Sequence, residues 1–207
     1  LLNLINLSGR AYAEAYVFVD AGFSIPFVGK IMKRVVDIQL IEVTLAEWEY
    51  NAPQVEPVLA SESGDALVIH SGSRAGDRGY LDTEDGGEVF TISGNSSSIK
   101  VEFGDWSHTF TGSFARVIAD GGEGNDNFNA SDLDGVDVEF TGGAGDDTLI
   151  AGSAGATLSG GAGSDTLDAS RATDDSTLDG GDGDDRLTAG AGADILTGGP
   201  GDDRLAG

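Results

Sequence analysis

A nine-residue period dominates the second half of this chain and limits it to architectures in which one short unit is stacked many times. GGEGNDNFN stands at 121–129, GGAGDDTLI at 142–150, GGAGSDTLD at 160–168, GGDGDDRLT at 180–188, AGAGADILT at 189–197 and GGPGDDRLA at 198–206. Three looser units lie between them, 130–141 with 12 residues, 151–159 with nine and 169–179 with 11, and the register survives all three. The next-to-last position of every unit is apolar: Phe128, Phe140, Leu149, Leu158, Leu167, Leu178, Leu187, Leu196 and Leu205. A single unit cannot bury that side chain alone, so the pattern predicts coils that cover one another.

Composition sharpens the point. Residues 120–207 hold 20 acids, 3 bases, 21 Gly and only 14 Leu, Ile, Val and Phe in 88 positions. A stretch so poor in apolar residues is ordinarily disordered, because burial cannot offset chain entropy. The fixed phase of Gly, Asp and Leu argues instead for order with some further staple. Cysteine is not that staple, since the chain has none. A net charge of −25 excludes nucleic acid as a partner, because a polyphosphate is repelled. No apolar run approaches the ~18–20 residues of a membrane span. Leu1 opens neither a signal peptide nor an initiator Met, so the chain reads as part of a longer protein.

These units resemble the glycine- and aspartate-rich nonapeptide repeats of RTX proteins, G-G-x-G-x-D-x-U-x with U apolar. Five units match at every fixed position, and 189–197 departs only at its first Gly. The resemblance covers residues 121–207 and implies an all-β fold there, a parallel β-roll. In it six residues turn and bind calcium, three form a short strand, and two units complete one coil. The physics agrees. Turns that aim several carbonyls at one cation need backbone angles that glycine tolerates, and Ca²⁺ takes six to eight hard oxygens.

With two units per coil, alternate units share an edge. The odd units place Asp126, Asp147, Asp165, Asp185 and Asp203 at position six, an unbroken column. The even units place Ala156 and Ser176 there, and only Asp194 is in register. The expectation is a one-sided roll with about four calcium sites, plus at most one on the other edge between Asp174 or Asp175 and Asp194. The resemblance further implies that carbonyls at positions one and three assist: Gly121, Glu123, Gly142, Ala144, Gly160, Ala162, Gly180, Asp182, Gly198 and Pro200. Without metal the stacked carboxylates repel and nine apolar side chains bury too little, so folding and calcium binding are expected to be one equilibrium.

Residues 1–119 carry 16 acids, 8 bases and 37 Leu, Ile, Val and Phe, enough for a core of their own. Strict alternation over 11–20 predicts a strand. So does 35–50, with a bulge where Leu40 and Ile41 adjoin. A short helix fits 30–36. The stretch 51–62, with Pro53 and Pro57, reads as a linker between an upstream β-rich segment (1–50) and a small β module (63–119) leading into the roll (120–207). Strands are expected at 66–70, 88–93, 98–103, 107–111 and 116–119.

Catalytic motifs are missing. His70 and His108 lie in no H-E-x-x-H, no G-x-S-x-G occurs, and no EF-hand loop is present. Lys30, Lys33 and Arg34 read as solvated, and Trp48 and Trp106 as packing residues. The expectation is a non-enzymatic, calcium-binding structural segment of a large secreted or cell-surface bacterial protein of adhesin, filament or surface-layer type. It would fold outside the cell after type I secretion. The alternative is the secretion and folding domain of an RTX toxin or hydrolase whose catalytic part lies elsewhere. A ligand for an aromatic face at Tyr12, Tyr16 and Phe18, and self-association through the solenoid ends, complete the expected partners.

Overall fold

A computed structural model describes residues 57–78 and 85–207, all within one unit, Val55–Gly207. The strands expected at 11–20 and 35–50, the bulge at 40–41 and the helix at 30–36 lie outside the described residues. From residue 116 onward the chain is a parallel β-solenoid of about five turns.

Strands β6 (Arg116–Glu123), β8 (Asp137–Ala144), β10 (Ala156–Ala162), β12 (Thr177–Asp182) and β14 (Ile195–Thr197) stack in that order in one sheet. Strands β7 (Asn127–Asp134), β9 (Thr148–Ile150), β11 (Thr166–Asp168), β13 (Arg186–Thr188) and β15 (Arg204–Ala206) stack in the other. Every neighbouring pair in these two series is parallel. Successive strands thus alternate between sheets, which is what two units per coil require.

The predicted apolar ladder is the core. Phe128 pairs in register with Leu149, Leu149 with Leu167, Leu167 with Leu187 and Leu187 with Leu205. On the opposite sheet Phe140, Leu158, Leu178 and Leu196 align likewise. These side chains are buried except in the last coil, where no further strand covers them: Leu196 is half-buried and Leu205 is 47% exposed.

Residues 60–69 and 89–111 continue the same two sheets. β1 (Ala60–Ser63) and β2 (Ala66–Ile69) form an antiparallel hairpin, and β2 runs parallel to β6 with Leu67 opposite Val117. β3 (Val89–Asn95), β4 (Ser98–Phe103) and β5 (Trp106–Thr111) form an antiparallel meander, and β3 runs parallel to β7. Phe90 lies 6.0 Å from Phe128 and 4.7 Å from Phe103, so aromatic rings fill this end of the core. The strands expected at 66–70, 88–93, 98–103, 107–111 and 116–119 are all present. Residues 60–62 are a correction: read as the end of a linker, they form strand β1, because Leu59 and Ala60 are buried against the core and the hairpin partner supplies the ladder. A 3-10 helix at Gly72–Arg78 was not anticipated.

Coil spacing dictates the glycines. Gly161 has φ 114°, and a Cβ there would collide with the Gly143 carbonyl oxygen of the neighbouring coil. Gly64 also has positive φ, 65°, but nothing lies within 4 Å of its missing Cβ. Gly161→Ala is therefore expected to cost about 3 kcal/mol or more. Gly64→Ala is expected to cost about 1 kcal/mol. Urea midpoints of the two variants in calcium measure the difference.

Candidate metal centre

The odd edge of the roll carries a ladder made by the position-six aspartates. Asp126 N–H donates to Asp147 Oδ1 at 2.7 Å, Asp147 N–H to Asp165 Oδ1 at 2.7 Å, Asp165 N–H to Asp185 Oδ1 at 2.8 Å and Asp185 N–H to Asp203 Oδ1 at 3.0 Å. Each turn thereby fixes the carboxylate of the next. The second oxygen is different: Oδ2 of Asp126, Asp147, Asp165 and Asp185 is buried with no hydrogen-bond partner. Leaving buried carboxylate oxygens unpartnered is costly, and four in one file call for a shared counter-charge.

The position-one glycines sit beside these oxygens. A Cβ at Gly121 would overlap Asp126 Oδ2 and the Gly142 carbonyl oxygen. The same holds at Gly142 with Asp147 Oδ2 and Gly160 O, at Gly160 with Asp165 Oδ2 and Gly180 O, and at Gly180 with Asp185 Oδ2 and Gly198 O. Four cradles result, each open only because the residue is glycine, and each lined by one carboxylate oxygen and a main-chain oxygen of the following odd turn. At Gly198 the atoms nearest such a Cβ all belong to Asp203. This donor set of hard oxygens suits Ca²⁺. Among the described residues no three acidic or histidine side chains converge as a metal-binding group.

The position-three residues Glu123, Ala144, Ala162, Asp182 and Pro200 point their side chains to solvent. The carbonyls of Ala144, Ala162, Asp182 and Pro200 accept the position-four N–H of the preceding odd turn at 2.8–2.9 Å. One lone pair of each remains available. Pro200 fits because its place in the ladder asks for a carbonyl and no N–H.

The even edge lacks such a file. Val117, Val138, Ala156, Ser176 and Asp194 occupy the corresponding register. Asp194 Oδ1 accepts Ser176 N–H at 2.8 Å, and Ser176 Oγ accepts Ala156 N–H at 3.2 Å. No second inward carboxylate meets Asp194. Asp174 and Asp175 are exposed, the latter accepting Ala193 N–H at 2.7 Å.

A further ladder was missed in the sequence. At position five, Asn125 Oδ1 accepts Asp146 N–H at 3.0 Å, Asp146 Oδ1 accepts Ser164 N–H at 2.8 Å and Asp184 Oδ1 accepts Asp202 N–H at 2.9 Å. The recurrent short polar residue before the aspartate is its signal.

Burial pushes the Asp126 carboxyl up to about 7 and that of Asp165 up to about 6, and neighbouring carboxylates add to the rise. Asp147 and Asp185 are raised as well, again chiefly by burial. Between the usual 3.8 and these values the folded chain holds more protons than the unfolded one. Folding without metal is therefore most favourable in acid, and that stability is lost as pH rises through about 6–7. The calcium concentration needed for folding is expected to rise as pH falls below about 6, because protons compete for the same oxygens. Circular dichroism titrations at pH 5 and 8 check it.

Fold and cradles together define a parallel β-roll with one edge lined by hard oxygens. Residues 141–175 and 172–205 match the family model of the RTX calcium-binding nonapeptide repeat (4 copies), so the chain carries RTX repeats, which bind calcium ions. No curated protein and no solved structure matches the chain. The first odd turn, 121–129, lies outside the matched residues yet has the same ladder and cradle.

Proposed function

We propose that four calcium ions occupy the odd-edge cradles, held by Oδ2 of Asp126, Asp147, Asp165 and Asp185 with carbonyls of the position-one and position-three residues. On this reading the chain is a non-catalytic, calcium-folded structural segment of a large secreted or cell-surface bacterial protein, of adhesin, filament or surface-layer type. The four buried, unpartnered carboxylate oxygens carry the proposal. The histidines support a structural role. His70 bonds Val58 O at 2.8 Å and Ser61 Oγ at 3.1 Å, which ties down the chain entering β1, and His108 packs on Phe110. Among the described residues no helix is long and apolar enough to cross a membrane.

A roll of this kind stays unfolded where free calcium is low and folds where it is millimolar, which suits export before folding. Equilibrium dialysis of the chain at pH 8 is expected to give four ions bound per molecule. A count of none would overturn the reading.

A further inference from the structure

The aspartate file does not begin at Asp126. Glu88 N–H donates to Asp126 Oδ1 at 2.7 Å, and Glu88 O accepts Asn127 N–H at 2.7 Å. These are the two bonds by which Asp126 engages the next turn, through Asp147 Oδ1 at 2.7 Å and Thr148 N–H at 2.8 Å. Val89 and Phe90 pair with Asn127 and Phe128. Glu88 is therefore the position-six residue of a rung preceding the first repeat, in a stretch, Asp85-Gly86-Gly87-Glu88-Val89-Phe90, that keeps the position-four glycine (Gly86), the acid and the apolar residue of a repeat.

This rung differs from those below it in one respect. Glu88 is 3% exposed and Arg78 0%, and the Arg78 guanidinium is ion-paired with Glu88 Oε1 while lying 4.7 Å over the Phe103 ring. The other oxygen, Oε2, accepts Gly72 N–H at 2.8 Å. Gly72 in turn packs its Cα against the carbonyls of Asp120 and Gly121, so that a Cβ there would sit 2.7 Å from Gly121 O. It stands where a position-one glycine would stand. In the rungs below one carboxylate oxygen takes the ladder N–H and the other lies unpartnered in the cradle, whereas the two oxygens of Glu88 meet a fixed cation and a backbone donor.

We propose that Arg78 replaces calcium in this first rung, so that residues 57–78 and 85–129 form a calcium-independent cap on which the roll assembles coil by coil. The proposal rests on the calcium reading of the rungs below. A permanent charge at this end sets a direction: the first calcium cradle, at Gly121, adjoins a rung already ordered. Nucleation, the slow step for a stacked array, is then built into the chain.

Amide hydrogen exchange of the intact 207-residue chain, read by mass spectrometry with and without calcium, tests this. In excess chelator, amides of 89–111 and 127–129 are expected to exchange on the order of 100-fold slower than free peptide, while 147–204 exchange freely. Calcium then protects 147–204. Arg78→Met is expected to lose the protection of 89–111 in chelator and to recover it only in calcium. Free exchange of 89–111 in the metal-free parent chain, or unchanged protection in Arg78→Met, would overturn the cap while leaving the calcium reading intact. Failure of calcium to protect 147–204 would overturn that reading and the cap with it. The parent-chain measurement decides the matter even if the variant fails to fold.

Discussion

Removing calcium from the folded chain at neutral pH is expected to abolish the β-sheet signal contributed by residues 130–207, and restoring it to bring the signal back. The reason lies in the spacing of the odd-edge carboxylates. Parallel strands stack ~4.8 Å apart. Like charges at that distance repel by about 3–4 kcal/mol per neighbouring pair at an effective dielectric near 20. Asp126, Asp147, Asp165 and Asp185 are each at most 2% exposed, so water screens them little. Against this stand two thin files of apolar side chains and a hydrogen-bond ladder, too few to order a stretch with 18 glycines. A cation in each cradle converts the repulsion into attraction. The loss should be steep over a narrow range of free calcium, because each coil is covered only by its neighbours.

The second large effect separates the two edges. Asp165→Ala is expected to raise the calcium midpoint of folding at least ~30-fold, since it removes a cradle wall and the acceptor of Asp147 N–H together. Asp165→Asn isolates the charge. The amide oxygen can still accept that N–H, so a midpoint raised by about 10-fold or more would come from the lost carboxylate. Ser176→Ala, at the same register on the even edge, deletes the long bonds of its hydroxyl to Ala156 N–H and Asp174 O, no charge, and should move the midpoint less than ~3-fold. Calcium titrations followed by circular dichroism measure all three. Equal effects of Asp165→Ala and Ser176→Ala would refute the one-edge assignment.

Much of this was legible in the sequence because a solenoid repeats its own physics. The nine-residue phase placed Leu149, Leu167 and Leu187 in one file, and counting two units per coil placed Asp126 through Asp203 on one edge. Local patterning also located β2 to β6, since alternation and flanking glycines are short-range signals. What stayed hidden depends on contacts distant in sequence. The segment Gly-Ser-Arg-Ala-Gly-Asp-Arg has no helical periodicity, and its 3-10 turn acquires meaning only where Arg78 meets Glu88. Strand β1 was obscured by nearby Pro57, although Leu59 and Ala60 are buried. The paired use of Oδ1 for the ladder and Oδ2 for the cradle is geometric and has no sequence signature.

The most direct test of the central claim is the anomalous difference map of a crystal grown in calcium, collected at a wavelength long enough for calcium to scatter anomalously. The account predicts four peaks in a line along the odd edge, each bonded to Oδ2 of Asp126, Asp147, Asp165 or Asp185, and none at Glu88, whose carboxylate Arg78 already pairs. An odd edge without peaks in a folded, calcium-replete roll would contradict it.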